Sequence, residues 1–185
     1  MYQIIVLLSG TMILATHAIT GAALATLVPT RPGLAFVVGF ASHFLLDAIP
    51  HWDYELRSKH ENDQDYLQND LVVGRNFYLD LIKIGFDALA GLFLAWAIFH
   101  SFFTDHGRLG IVTFLAGTAG GVLPDLLQFC YFKLRWPILT QLQRFHHWIH
   151  TNYRIKHRPV LGLTLQLLFV ALVVWVVIMF DKNTI

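Results

Sequence analysis

His43 and Asp47 stand four residues apart in an otherwise apolar stretch, and His51 follows four further on, just past Pro50. Positions i and i+4 share a helix face, so an imidazole and a carboxylate one turn apart make a two-point grip for a metal ion. Other stretches repeat the theme. Gly121-Val-Leu-Pro124-Asp125 sets a second acid beside a proline near a helix end, and Asp80 and Asp87 lie seven apart on one face. His146, His147 and His150 pair at helical spacing, and His17 precedes Gly21 by four. Imidazole with carboxylate and no thiolate suits a divalent ion, zinc first and manganese or iron next, and mixed sets of this size often hold one or two ions. A bound ion would lower the pKa of its water and supply hydroxide at neutral pH, the chemistry of a metallohydrolase.

Each residue also has a plainer reading. A lone histidine in an apolar helix is more often a hydrogen-bonded packing residue than a ligand. Asp125 could be a helix-terminal acid facing headgroup water, and Asp80 could pair with Lys83. His60, His100, His106 and His157 read as solvent or interface residues. The expected ligands are His17, His43, Asp47, Asp125, His147 and His150. Asp87, His51 and His146 are expected to orient ligands or move protons, and Arg144 and Arg154 to hold a substrate phosphate. Other enzyme classes find no support: the chain has no G-x-S-x-G, Walker loop, G-x-G-x-x-G or H-E-x-x-H, and Cys130 has no motif around it.

The elements that must position these groups follow from composition. With 56% hydrophobic and 14% charged residues and a mean hydropathy of +0.56, the 185-residue chain has more apolar surface than a soluble domain of its size can hide. That excludes a disordered chain, a coiled coil and most soluble enzymes. The single cysteine excludes a disulfide scaffold, and a net charge of +1 gives no reason to expect nucleic acid. The reading is one all-α domain over 1–185, an integral membrane bundle of about five transmembrane helices at 4–28, 34–49, 79–102, 109–131 and 160–180. The first run has no basic n-region and continues past its possible cleavage site, so it reads as a helix and not a signal peptide.

Loops 52–78 and 132–159 carry nine of the thirteen basic residues, which predicts that both loops and the N-terminus are cytoplasmic. Within the second loop, 134–158 mixes Trp, Phe and Tyr with Arg, Lys and His, the composition of an amphipathic segment lying at headgroup level. Gly21/Ala25 and Gly117/Gly121 are spaced for close approach of helices. This topology brings Asp47, His51, Asp80, Asp87, Asp125 and the 146–150 cluster to one membrane face at similar depth. His17 fits less well: a straight helix from Ile4 would place it roughly 20 Å deep, so its helix must start later, tilt, or border a deep cavity.

Thr16-His17 with Gly21, Gly39 with Ser42-His43, Asp47 and His51, Gly121 to Asp125, and His146-His147 with His150-Thr151 together form a pattern. It resembles the membrane-bound metal-dependent hydrolases, a family of small bacterial inner-membrane proteins that includes a member controlled by the SOS repressor. It is similar, more weakly, to zinc-dependent phospholipase C. The resemblance covers roughly 16–151 and implies a metal site built from His17, His43, Asp47, Asp125 and His147 or His150. Leu126-Leu127 stand where further ligands would follow Asp125, His147-Trp148 stand where Arg-Gly is usual, and the motif order differs.

The function expected is metal-dependent hydrolysis of a lipid-borne ester, a phosphoester first, at the cytoplasmic interface, with membrane lipid as both surroundings and substrate. A transporter of protons or metal ions would instead carry polar groups to the opposite face, yet the first and last spans offer little beyond His17 and Gln166. A non-catalytic scaffold would use the same polar groups to pin the bundle together.

Overall fold

The structure is a computed structural model that describes residues 14–52, 54–62, 64–150 and 158–182. Its described helices are α1 (Leu14–Ala25), α2 (Pro32–Asp47), α3 (Arg75–Asp105), α4 (Gly107–Leu134), α5 (Pro137–Ile149) and α6 (Pro159–Lys182). A two-residue ribbon, β1 (Lys59–His60) antiparallel to β2 (Asp70–Leu71), and a single turn at Tyr66–Gln68 interrupt the 52–74 loop. The fold is all-α, as composition predicts.

Helix ends follow local chemistry. α2 and α5 open on prolines, whose missing N–H falls where a helix has no use for it. α3 turns into α4 at Gly107, whose φ of 62° lies in the left-handed region that favours glycine. Arg135 closes α4 in the same region, its N–H on the Tyr131 carbonyl.

Among the described residues, helix lengths bear out three of the five expected spans. α3, α4 and α6 are long and apolar enough to cross a membrane. The described α1 has 12 residues and α2 has 16, about 18 and 24 Å at the helical rise, against a hydrocarbon core of about 30 Å. The start of the first predicted span, 4–13, lies outside the described residues. α1 is almost wholly buried against α2, α3, α4 and α6, whereas α2 packs on α4 and α1 and leaves Leu34, Val37 and Leu45 exposed. Protein surroundings satisfy short helices at membrane depth in a way that lipid would not.

α4 is the axis against which this pair packs. A Cβ at either Gly21 or Gly39 would come within 2.3 Å of the Gly117 carbonyl oxygen, and one at Gly121 within 2.3 Å of the His17 carbonyl oxygen. Glycine at these places lets three backbones touch, which is how helices associate when lipid removes the hydrophobic incentive. Toward the α3–α4 turn the core is apolar, built around Phe99, Phe103 and Phe114. Outward, α3 exposes Ile82, Phe86 and Phe93 and α6 exposes Leu167, Leu168 and Leu172. In water this would be an aggregation surface, whereas lipid solvates it.

The opposite end of the bundle is closed by the 52–74 loop and α5. Tyr131 donates to the Leu67 carbonyl (3.1 Å), Arg135 donates to the Leu67 and Asn69 carbonyls, and Lys133 donates to the Leu71 carbonyl. Lys133 also pairs with Asp70 at 2.8 Å, and its ammonium holds that carboxyl below the usual carboxylate range. Asp80 does not pair with Lys83: it accepts from the Ser58 N–H (2.8 Å) and hydroxyl (2.7 Å), while Lys83 lies over the Tyr54 ring. α5 is amphipathic, with Gln143 and His146 buried and Ile138 (82% exposed) and Trp148 (76%) facing outward.

Candidate metal centre

His43, on α2, is completely buried, and its Nδ1 lies 2.7 Å from the Gly121 carbonyl oxygen of α4. A carbonyl only accepts, so Nδ1 carries the proton and Nε2 presents its lone pair. The Nε2 of His43 faces Asp47 Oδ2 at 3.2 Å and Asp125 Oδ1 at 3.5 Å, with no hydrogen-bond partner. The buried His43 Nε2 thus faces two carboxylate oxygens without a proton of its own, which is costly until a proton or a cation stands between them, while Asp47 Oδ2 is also hydrogen-bonded to His146 Nε2 at 2.7 Å.

Two more imidazoles point to the same spot. His17 Nε2, from the first turns of α1, lies 3.4 Å from Asp47 Oδ1, and its ring stacks on that of His43 at 4.0 Å. His146 Nε2, from α5, lies 2.7 Å from Asp47 Oδ2 and 3.9 Å from Asp125 Oδ1. In a tetrahedral shell with bonds of about 2.0–2.1 Å, ligand atoms are about 3.3–3.4 Å apart, so most of these separations need little adjustment to enclose an ion. The donor set fits a divalent cation in charge too, with neutral imidazoles around two carboxylates. Buried His/Asp groups here could hold a metal ion: within each of three sets, His17–His43–Asp125, His43–Asp47–His146 and Asp47–His51–His150, the ligand atoms lie within 4.8 Å of one another. In the last set the His51 Nδ1 donates to the Ile49 carbonyl at 2.7 Å, again making Nε2 the acceptor, and the His51 and His150 rings are 4.8 Å apart. Asp125, whose side chain is 41% exposed, is the open edge of the cluster. It stands nine positions before the end of α4, about 14 Å along the helix axis.

Of the residues singled out by sequence, His17, His43, Asp47 and Asp125 come together, and His51 and His150 meet beside them. Three others are placed differently. It is His146, not His147, that turns inward: His147 lies one position, or about 100°, around α5, and stacks on Tyr66 with ring centroids 3.7 Å apart. Asp87 belongs to none of the three sets. Its carboxylate accepts from the backbone N–H groups of Leu14 (2.7 Å) and Ala15 (3.3 Å), where a negative charge suits the start of a helix. His17 lies one turn after these residues, on the same described helix. Arg144 sits on the exposed face of α5, two positions from His146 and so about 200° around the helix, turned away from the cluster. Arg154 lies outside the described residues. The Gly121 carbonyl went unread in the sequence, which carries no signal for it. Comparison with protein-family models, curated proteins and solved structures returned no match to this chain.

Proposed function

We propose that this chain is a metal-dependent hydrolase of the membrane interface that cleaves a lipid-borne phosphoester from the cytoplasmic side. The observation that carries this reading is the His43 Nε2 lone pair, locked by Gly121 and aimed between two carboxylates within 3.5 Å. Zinc suits the donor set first, with manganese or iron next. Such an ion, when bound, acidifies a coordinated water and stabilises negative charge on a phosphoryl oxygen.

The chain's own residues divide the remaining work. His43 would hold the ion either with Asp47 and His146 or with His17 and Asp125, the two overlapping sets of ligand atoms. An imidazole lone pair serves one ion, but a carboxylate has two oxygens, so Asp47 would also be available, with His51 and His150, to hold a second ion. Asp125, the most exposed member, takes the proton that the attacking water gives up. The outward-facing Trp136, Ile138 and Trp148 rest at headgroup level, and the lipid-facing sides of α3 and α6 hold the site beside its substrate. The resemblance to inner-membrane metal-dependent hydrolases supports the same reading, as does the concentration of basic residues in the loops at this end. Transport fits less well. Toward the α3–α4 turn the described core is aromatic and small, and the hydroxyls of Thr113 and Thr118 bond carbonyls of their own helix.

The test is elemental analysis of detergent-purified wild type beside His43→Ala and Asp47→Ala, with melts before and after chelation and an assay of phosphoester release from phospholipid vesicles. Wild type should carry about one or two equivalents of metal, both variants should lose it while folded, and chelation should abolish release. No metal under any loading, with both variants merely unstable, would leave a polar-pinned helix bundle instead.

A further inference from the structure

An open cleft that shares no residue with the metal centre lies beside the start of α3. It measures about 320 Å³, and ligand sites enclose about 300–1,000 Å³. The chain leading through β1 contributes Arg57, Lys59 and His60 to its lining, and the chain from β2 into α3 contributes Val72, Arg75 and Asn76. None of the lining residues is acidic. The two stretches are tied together, since the Val72 N–H donates to the Ser58 carbonyl at 2.8 Å, and Ser58 gives its own N–H and hydroxyl to Asp80. Lys59 is matched by Glu61 at 2.7 Å. Arg57 and Arg75 are exposed, and their guanidinium groups make no ion pair or hydrogen bond among the described residues. Cations lining one cleft repel each other. Arg75 also stands in the first turn of α3, which no side chain caps, where the helix dipole opposes a positive charge and free N–H groups favour a negative one. An anion in the cleft relieves both.

We propose that Arg57 and Arg75 make this cleft a phosphate-binding site, filled by the headgroup of an anionic phospholipid and by a phosphomonoester before a phosphodiester. The site is independent of the metal centre's chemistry. Its level in the membrane follows from α3, which is long and apolar enough to cross and has Arg75 as its first residue. Ile82, 69% exposed, stands about 10 Å further along the helix axis, and Val72 and Val73 are exposed beside its start. The cleft therefore opens where a lipid-facing surface gives way to water, the level of lipid phosphates. With Lys59 matched by Glu61, two arginines remain, and a guanidinium fork takes two phosphate oxygens at once. A phosphomonoester carries about −1.5 to −2 charges at neutral pH, against one for a phosphodiester. A choline lipid offers its phosphate with the charge already cancelled. A lipid held here fastens the 52–74 loop to the bilayer.

The test titrates dihexanoyl phosphatidic acid, phosphatidylglycerol and phosphatidylcholine, and inorganic phosphate, into the full chain in an uncharged detergent at low ionic strength. Wild type should bind phosphatidic acid about tenfold more tightly than the choline lipid, with phosphatidylglycerol between them. That ratio should fall to about one in Arg57→Gln/Arg75→Gln. It should persist in Arg144→Gln/Arg158→Gln, which removes the same charge from exposed positions at the same end of the bundle. Equal loss in the two double variants would mean general attraction of anionic lipid to a basic surface and overturns the proposal. Equal affinity for all three lipids in wild type overturns it too, as does an undiminished ratio without Arg57 and Arg75. Inorganic phosphate that binds as tightly as phosphatidic acid, and is lost with the same two arginines, supports the phosphate site and moves its source from lipid to solution. Should the double variant melt early, Arg57→Gln and Arg75→Gln singly decide by the same ratio. Metal content is read in the same samples. A lipid ratio that holds in protein without metal removes the hydrolase reading and leaves this site standing, and metal without the ratio does the reverse.

Discussion

A single position along α5 decides which histidine faces the cluster, so substitutions at 146 and 147 should separate cleanly. His146→Ala is expected to lower metal affinity at least about tenfold, while His147→Ala keeps the metal and costs at most about 1.5 kcal/mol for the lost stack on Tyr66. Metal retained through graded chelation, read beside a thermal melt, checks both, and the opposite pattern would return His147 to the ligand set. Asp87 makes the complementary case. Asp87→Ala should destabilise by about 1–2 kcal/mol, because two N–H groups of α1 lose their acceptor, yet leave metal stoichiometry unchanged. These cases show what the sequence could carry at this scale. His43 and Asp47 were legible because i, i+4 spacing fixes a shared face whatever surrounds the helix. The 146/147 choice was not, since both numbers suit a helical clamp with 150. It is made by Phe44 and Phe145 packing near His146, and by Tyr66 arriving from a loop eighty residues earlier. Asp87 looked catalytic for the same reason that it is structural: a buried acid needs donors, and backbone amides serve as well as a metal.

Among the elements, α4 holds the arrangement together through glycine, and two alanine substitutions should differ in sign. Gly117→Ala drives a methyl into the Gly21 carbonyl at 2.7 Å and Ala25 at 2.6 Å, contacts in which a backbone must move, and should cost about 1–3 kcal/mol. Gly85→Ala, mid-helix in α3 with nothing within 4 Å, should stabilise by about 0.5–1 kcal/mol. Denaturation of the two variants in the same detergent checks the contrast, and equal effects would mean that the helices do not approach this closely. The loop that closes the site offers a pH test. The Asp70 carboxyl is held low by Lys133, so its contribution is complete above the unfolded carboxylate value of about 4 and is lost as pH falls through the lower folded value. With that side chain 45% exposed, the effect should stay below about 1 kcal/mol and vanish in Asp70→Asn. The long helices α3, α4 and α6 were readable from apolar run length and α5 from its mixed composition, whereas the starts at Pro32 and Pro137 were not read. What run length could not show is that the described α1 is buried among the other helices, because an apolar residue reads the same whether lipid or glycine-lined protein surrounds it.

For the molecule as a whole, the positions of the helices make a prediction about sidedness that the cluster's chemistry depends on. α3 begins, α4 ends and α6 begins at the end closed by the 52–74 loop and α5, whereas the α1–α2 turn and the α3–α4 turn belong to the opposite end. In a Cys130→Ser background, single cysteines at Glu61, Thr30 and His106, all exposed, report on the two ends. A membrane-impermeant maleimide applied to intact spheroplasts should label the Thr30→Cys and His106→Cys proteins and spare Glu61→Cys until the membrane is opened, because basic loops are retained in the cytoplasm. Labelling of Glu61→Cys from outside, with Thr30 and His106 protected, would reverse the protein. The cluster would then face the outer leaflet, and the headgroups on offer would be those of that leaflet. Labelling of Thr30→Cys together with Glu61→Cys would mean instead that α1 and α2 turn back before reaching the far surface. His17 and His43 enter the cluster from these two helices, so that result would take α1 and α2, and the site with them, out of the bundle's interior.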